Sequence, residues 1–264
     1  MRPPLSRFRP LVAIAFATTA AFATAFTATA AQADTIKVLT AGAFKQVVVA
    51  FVPAFEARTG HKVDVQNDTA GALAKRVAAG EAFDVLVLTP AALQPLATQG
   101  RVAPDSVTPL ARVAIGVAVK AGAPRPAIDT VDQFKAALLA ARKVAYIDPA
   151  SGGSSGIYLD GLFQRMGIAD TVRAKAVLVP GGLVAERLVT GEADLAVHQI
   201  SEILPVKGAD LVGALPEAVQ NYTTYAGAVA GDSAHAAAAR EFLASLTGPG
   251  AAETLGAKGM TAVR

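Results

Sequence analysis

From Asp34 onward the chain alternates between two hydrophobic periods. "DTIKVLTAGAF" alternates as a strand, then breaks into small residues. "KQVVVAFVPAFEARTG" follows as a helix ending at Gly60. "HKVDVQND" is a second strand, and "TAGALAKRVAAGE" a short helix with Thr69 as its N-cap. "FDVLVLT" is a near-continuous apolar strand, and "PAALQPLATQG" a helix that starts on Pro90 and stops at Gly100. This β-α-β-α-β-α order predicts a parallel sheet with helices on both faces. A second unit continues the alternation, with "RVAIGVAVK", "KVAYID", "KAVLVPGG", "ADLAVHQISEI" and "GADLVGALP" as strands and helices between them. "YTTYAGAVAG" and the helix "AHAAAAREFLASLTG" then return the chain to the first unit. The expected fold is α/β with two lobes around a ligand cleft. Lobe 1 comprises residues 34–113 and 223–264, and lobe 2 residues 114–222.

Residues 1–33 are of another kind. Arg2, Arg7 and Arg9 precede the uncharged run "LVAIAFATTAAFATAFTATA", and "AQA" ends at Ala33. This order reads as a signal peptide cleaved before Asp34, which places the protein in the periplasm. The signal holds three of the 24 basic side chains and none of the 21 acidic ones, so the mature chain is formally neutral. Nucleic acid is therefore not an expected partner. With no cysteine, stability must come from the core, and thiolate chemistry is excluded.

In open α/β sheets, ligands bind beyond the carboxyl ends of the strands. Three strand-to-helix loops fall there: "TAGAFK", "DTAGAL" and "DPASGGSSG", with "PGG" at 180–182 beside them. Helix N-termini carry unpaired N–H groups that favour an anion, and glycine lets a ligand approach the backbone. The third loop reads as an anion cradle with Ser151, Ser154 and Ser155 as donors; a plain solvated turn is the alternative. A nucleophilic serine fits poorly, because "GSSG" is not the G-x-S-x-G elbow. Of the three histidines, only His198 falls near a strand end at the cleft. The histidines also lack metal-ligand spacing, and no P-loop or dinucleotide motif occurs, so no metal or cofactor is expected.

"IKVLTAGAFKQVVVAFVPAFEARTGHKVDV", "GALAKRVAAGEAFDVLVLT", "DPASGGSSGIY" and "LVTGEADLAVHQISEI" resemble the periplasmic molybdate-binding family of type II solute-binding proteins. The resemblance covers nearly all of the mature chain. It implies two α/β lobes, a hinge that closes on an oxyanion, and a monomer. The ligand positions depart from that family. Its serines in the first two loops are replaced by Ala43 and Gly71, its tyrosine by Gln199, and the third loop is one residue longer. "PASGGSSGIY", "VPGG" and "HQISEILPV" are more similar to a narrower branch that includes bacterial aconitate isomerases. That branch implies a small tricarboxylate ligand. The implied ligand set is Ala43, Lys45, Thr69, Gly71, Ser151, Ser154, Ser155, Gly181 and Gln199. A trans-to-cis shift of aconitate needs a base that moves an allylic proton. His198 is the candidate by its intrinsic pKa, and Glu202, four residues on, is its orienting partner or an alternative base. The competing expectation is a receptor for an organic anion or molybdate-like oxyanion, delivering it to the membrane component of an ABC importer. Fold alone does not decide between them.

Overall fold

A computed structural model describes Met1 and residues 33–263. The signal-peptide reading of residues 1–33 lies almost wholly outside the described residues. No described helix is long and apolar enough to cross a membrane.

Among the described residues the ten strands are β1 (Thr35–Ala41), β2 (Lys62–Asp68), β3 (Val85–Leu88), β4 (Thr108–Lys120), β5 (Val144–Ile147), β6 (Ala176–Val179), β7 (Leu195–Gln199), β8 (Ala209–Ala214), β9 (Tyr222–Val229) and β10 (Met260–Ala262). They run β2-β1-β3-β9-β4-β7-β5-β6, with β8 and β10 also on β4. The first three strands pair in parallel, as their alternation with helices predicts, and the whole sheet is mixed. β2, β1 and β3 are parallel, but β9 is antiparallel to β3 and β4 is antiparallel to β9. The periodicity of β9 and β4 marks them as strands but carries no sign for their direction. β10 and the helix Ala251–Ala257 that feeds it escape the sequence reading, because "AAETLGAKGMTA" is short and rich in small residues.

β4 belongs to both halves of the molecule. Thr108 to Ala114 pairs with β9, and Ile115 to Ala118 with β7. At this join the Gln220 amide imitates a strand: it accepts from Ile115 N–H at 2.9 Å and donates to Ile115 C=O at 3.0 Å. The cores divide at the same point. One cluster takes residues from β1, β3, β9 and the first part of β4 with the helices around them, including Phe44, Phe55, Phe242 and Tyr225. Two further clusters draw on residues between Ile115 and Leu215. Strand alternation explains why they are two: Tyr146 faces one cluster, while Ala145 and Ile147 face the other.

Local signals set the helix ends near the cleft. Thr69 caps the helix Ala70–Ala78, accepting from Ala72 N–H. Gly60 ends the helix Gly42–Thr59 in the left-handed conformation. The helices Gly42–Thr59 and Ser154–Arg165 have no side-chain N-cap, so their first N–H groups are left for another partner.

Candidate functional site

The cleft cavity is lined by Ala41, Gly42 and Ala43 around the end of β1, and by Asn67 to Ala70 around the end of β2. The other side supplies Ile147 at the end of β5, Gly153, Ser154 and Ser155 after it, Gly182, and His198, Gln199 and Glu202 around the end of β7, with Tyr225 from β9. Three helix N-termini therefore converge on it.

The serine-rich loop divides its residues between building and lining. Gly152 takes φ +77°, and Gly153 and Gly156 lie so close to Ile147 that a Cβ at either would come within 2.5 Å of it. Ser151 Oγ donates to Asp148 C=O at 2.7 Å and closes its own turn. Only Ser154 and Ser155 reach the cavity. Ser154 Oγ accepts from the Gln199 amide at 3.3 Å, with no histidine hydrogen-bonded to it.

The cradle set is thus smaller than the sequence suggests. Ala43, Thr69, Ser154, Ser155 and Gln199 line the cavity; Lys45, Gly71, Ser151 and Gly181 do not. Lys45 is half-buried in the first turn of its helix. Gly181 approaches the opposite wall instead, where an added Cβ would lie 3.8 Å from Asp68 Oδ1. Thr69, though it lines the cavity, has its hydroxyl engaged: it caps its helix and donates to Ser151 C=O at 2.6 Å. Gly71 N–H donates to Gly152 C=O at 3.1 Å, and their Cα atoms approach so closely that a Cβ on either would meet the other at 2.8 Å. These contacts latch the two sides of the cleft together.

His198 and Glu202 form the centre. Nε2 of His198 lies 3.2 Å from Oε2 of Glu202, and both side chains are buried. Among the described residues, His198 Nδ1 has no hydrogen-bond partner. Glu202 Oε1 packs against Gly42, where an added Cβ would stand 2.6 Å from it. Burial pushes Glu202 up to about 8 and His198 down to about 3. The pair is therefore uncharged near neutrality, a carboxylic acid beside a neutral imidazole. The cavity-lining set contains no lysine or arginine and one further carboxylate, Asp68, with Arg76 3.6 Å behind it.

This pair predicts a stability profile. Glu202 holds its proton in the folded chain from 4.5 to about 8, so stability falls as pH rises through that range. His198 refuses its proton in the folded chain from 6.5 down to about 3, so stability falls as pH drops through that range. The two slopes cancel between 4.5 and 6.5. We expect the melting temperature to decline above that window, and Glu202→Gln to abolish the alkaline decline. A wild-type-minus-variant difference that stays flat from about pH 6 to about pH 9 would contradict this assignment.

Sequence reasoning misses Gly42, Asn67, Asp68 and Tyr225. Gly42 and Asp68 stand in the very loops singled out as ligand loops, so their position was a signal; Asn67 lies just before the second loop, in β2. Tyr225 lies in a strand that reads as core.

Residues 36–261 match the model of the family described as bacterial extracellular solute-binding protein. The chain is 37% identical over 235 residues to an aconitate isomerase from a Pseudomonas species, covering 87% of this chain and 88% of that one. Among solved structures it is similar to the Azotobacter vinelandii periplasmic molybdate-binding protein. The TM-score is 0.73 at 20% identity, over 87% of this chain and all of that one. The sulfate-binding protein of Mycobacterium tuberculosis gives 0.69 at 20% identity, over 87% of both chains.

Proposed function

The chain belongs to the family of bacterial extracellular solute-binding proteins, and from that premise we propose that it is a periplasmic isomerase interconverting trans- and cis-aconitate. The observation that carries this reading is the buried His198–Glu202 pair in the wall of the cleft. Binding an anion does not call for such a pair. Moving a proton between carbons does. The 37% identity to an aconitate isomerase over most of both chains supports it further. In this reading residues 1–33 are a signal peptide removed on export.

The substrate's three carboxylates meet the uncapped N-termini of the helices at Gly42 and Ser154, the hydroxyls of Ser154 and Ser155, and the Gln199 amide. When Glu202 gives up its proton, its carboxylate fixes the Nε2–H tautomer of His198 and leaves the Nδ1 lone pair as the base. Nδ1 removes a proton from the methylene carbon. The electron pair spreads through the double bond onto a carboxylate, and the imidazolium, whose proton can exchange with solvent, returns a proton to the former alkene carbon. Bonds, protons and charge balance without a cofactor. The Gly71–Gly152 latch keeps water out while the intermediate exists.

The test is to approach equilibrium from both sides. Purified protein in chelated buffer is mixed with trans- or with cis-aconitate, and the isomers are separated by liquid chromatography. The expected result is one common ratio reached from either start. Unchanged isomers from both starts would reject the isomerase. A second reading, a receptor for an importer, is favoured by the fold shared with molybdate- and sulfate-binding proteins. It predicts binding without conversion. Under either reading, Ser154→Ala and Ser155→Ala each weaken tricarboxylate binding by about 1–3 kcal/mol, read by calorimetry. Unaltered affinity in both would remove the cradle.

A further inference from the structure

A trianion and a cavity without a lysine or arginine in its wall are an unusual match. The intermediate is harder still to hold, because its extra negative charge develops beside Glu202 and Asp68. Apart from the imidazolium that His198 becomes, that charge must be met by neutral donors: helix N–H groups, the hydroxyls of Ser154 and Ser155, the Gln199 amide, and the phenol of Tyr225. A donor accelerates the reaction only if its bond strengthens as charge builds. A phenol, with an ordinary pKa of about 10, is far more acidic than a serine hydroxyl or an amide, so its bond responds most.

We propose that Tyr225 is a catalytic residue, donating its phenolic hydrogen bond to the carboxylate oxygen on which the dienolate charge develops. The proposal rests on the isomerase reading and assigns a role that reading does not need. The phenol is in place. Tyr225 is buried and lines the cavity, and its ring packs on Phe44 at 6.1 Å between centroids. Its hydroxyl accepts from Gln199 Nε2 at 3.0 Å and donates to Gln199 Oε1 at 3.2 Å, a bond the substrate carboxylate would replace, and Gln199 Nε2 also donates to Ser154 Oγ. Burial, with Glu202 close by, pushes the phenol above its ordinary value and keeps it protonated. Tyr225 is carried by β9, while His198, Gln199 and Glu202 follow from β7, so donor and base approach the substrate from different strands. The base moves the proton, the substrate keeps its electrons, and Tyr225 retains its own hydrogen throughout.

The experiment is Tyr225→Phe in the full mature protein, beside wild type in the same isomerase assay. We expect kcat to fall about 10²- to 10³-fold, with KM changed less than about threefold. A second measurement separates donation from packing: 3-fluorotyrosine and 3,5-difluorotyrosine at position 225 leave the shape nearly unchanged and raise the acidity of the phenol. Here kcat should follow phenol acidity. Wild-type kcat in Tyr225→Phe overturns the proposal. So does a fluorotyrosine series with constant kcat. If wild type itself does not convert aconitate, the proposal falls together with the isomerase; if wild type converts it and the phenol changes nothing, only the role of Tyr225 falls.

Discussion

His198→Gln is expected to lower kcat for trans-aconitate by about 10²- to 10⁴-fold while leaving KM nearly unchanged. Glutamine keeps a polar atom where Nε2 meets Glu202, so the buried carboxyl is not stranded. What it lacks is the Nδ1 lone pair, which is buried and has no hydrogen-bond partner among the described residues. Glu202→Gln should cost a similar factor, since an amide cannot hold the Nε2–H tautomer as a carboxylate does. The double variant should be little worse than either single one, because two members of one unit are not additive. Additive losses would mean that the two side chains work separately. The pH dependence carries the same logic. The active form has lost the Glu202 proton, so kcat should rise with pH through about 8. Stability declines through the same titration, so the catalytic form is the less stable one.

The second large effect is expected at a residue that touches no substrate in this account. A Cβ on Gly71 would stand 2.8 Å from Gly152 Cα and 3.0 Å from its carbonyl oxygen. Both are backbone atoms and have no rotamer to yield. Gly71→Ala therefore separates this helix start from the opposite loop and breaks the Gly71–Gly152 and Thr69–Ser151 hydrogen bonds. We expect a loss of about 10² in kcat/KM, the order expected from roughly 1 Å of misplacement. The melting temperature without ligand should change little, because the contact joins the first turn of a helix to a loop and leaves the three core clusters intact. Small-angle scattering should show less compaction on adding ligand than in wild type. A variant that compacts and turns over like wild type would show that the latch is incidental.

The same residues show what a sequence can and cannot reveal. The strand–helix alternation of Asp34 to Gly100 was legible because burial imposes a period of 2 on strands and of 3.6 on helices. Thr69 as a cap and Gly60 as a stop were legible because their chemistry is local. The ligand loops were legible as loops. Their individual roles were not, because small polar residues serve turns, packing and ligands alike. Ser151 closes a turn, Gly71 admits the opposite loop, and Gly181 faces Asp68, yet each reads like a ligand contact. His198 and Glu202 stood out by residue type and an i, i+4 spacing, although their burial has no local signature. Tyr225 was hidden because its partner Gln199 is 26 residues away and its strand alternates like any core strand.

The central claim is that this cleft breaks a carbon–hydrogen bond. Proton NMR of trans-aconitate with the protein in deuterium oxide reads that event directly. The account predicts that cis-aconitate signals grow and that the methylene signal of trans-aconitate declines, both lost in His198→Gln. A spectrum that stays constant for hours, while calorimetry shows the ligand bound, would contradict the account and leave a binding protein.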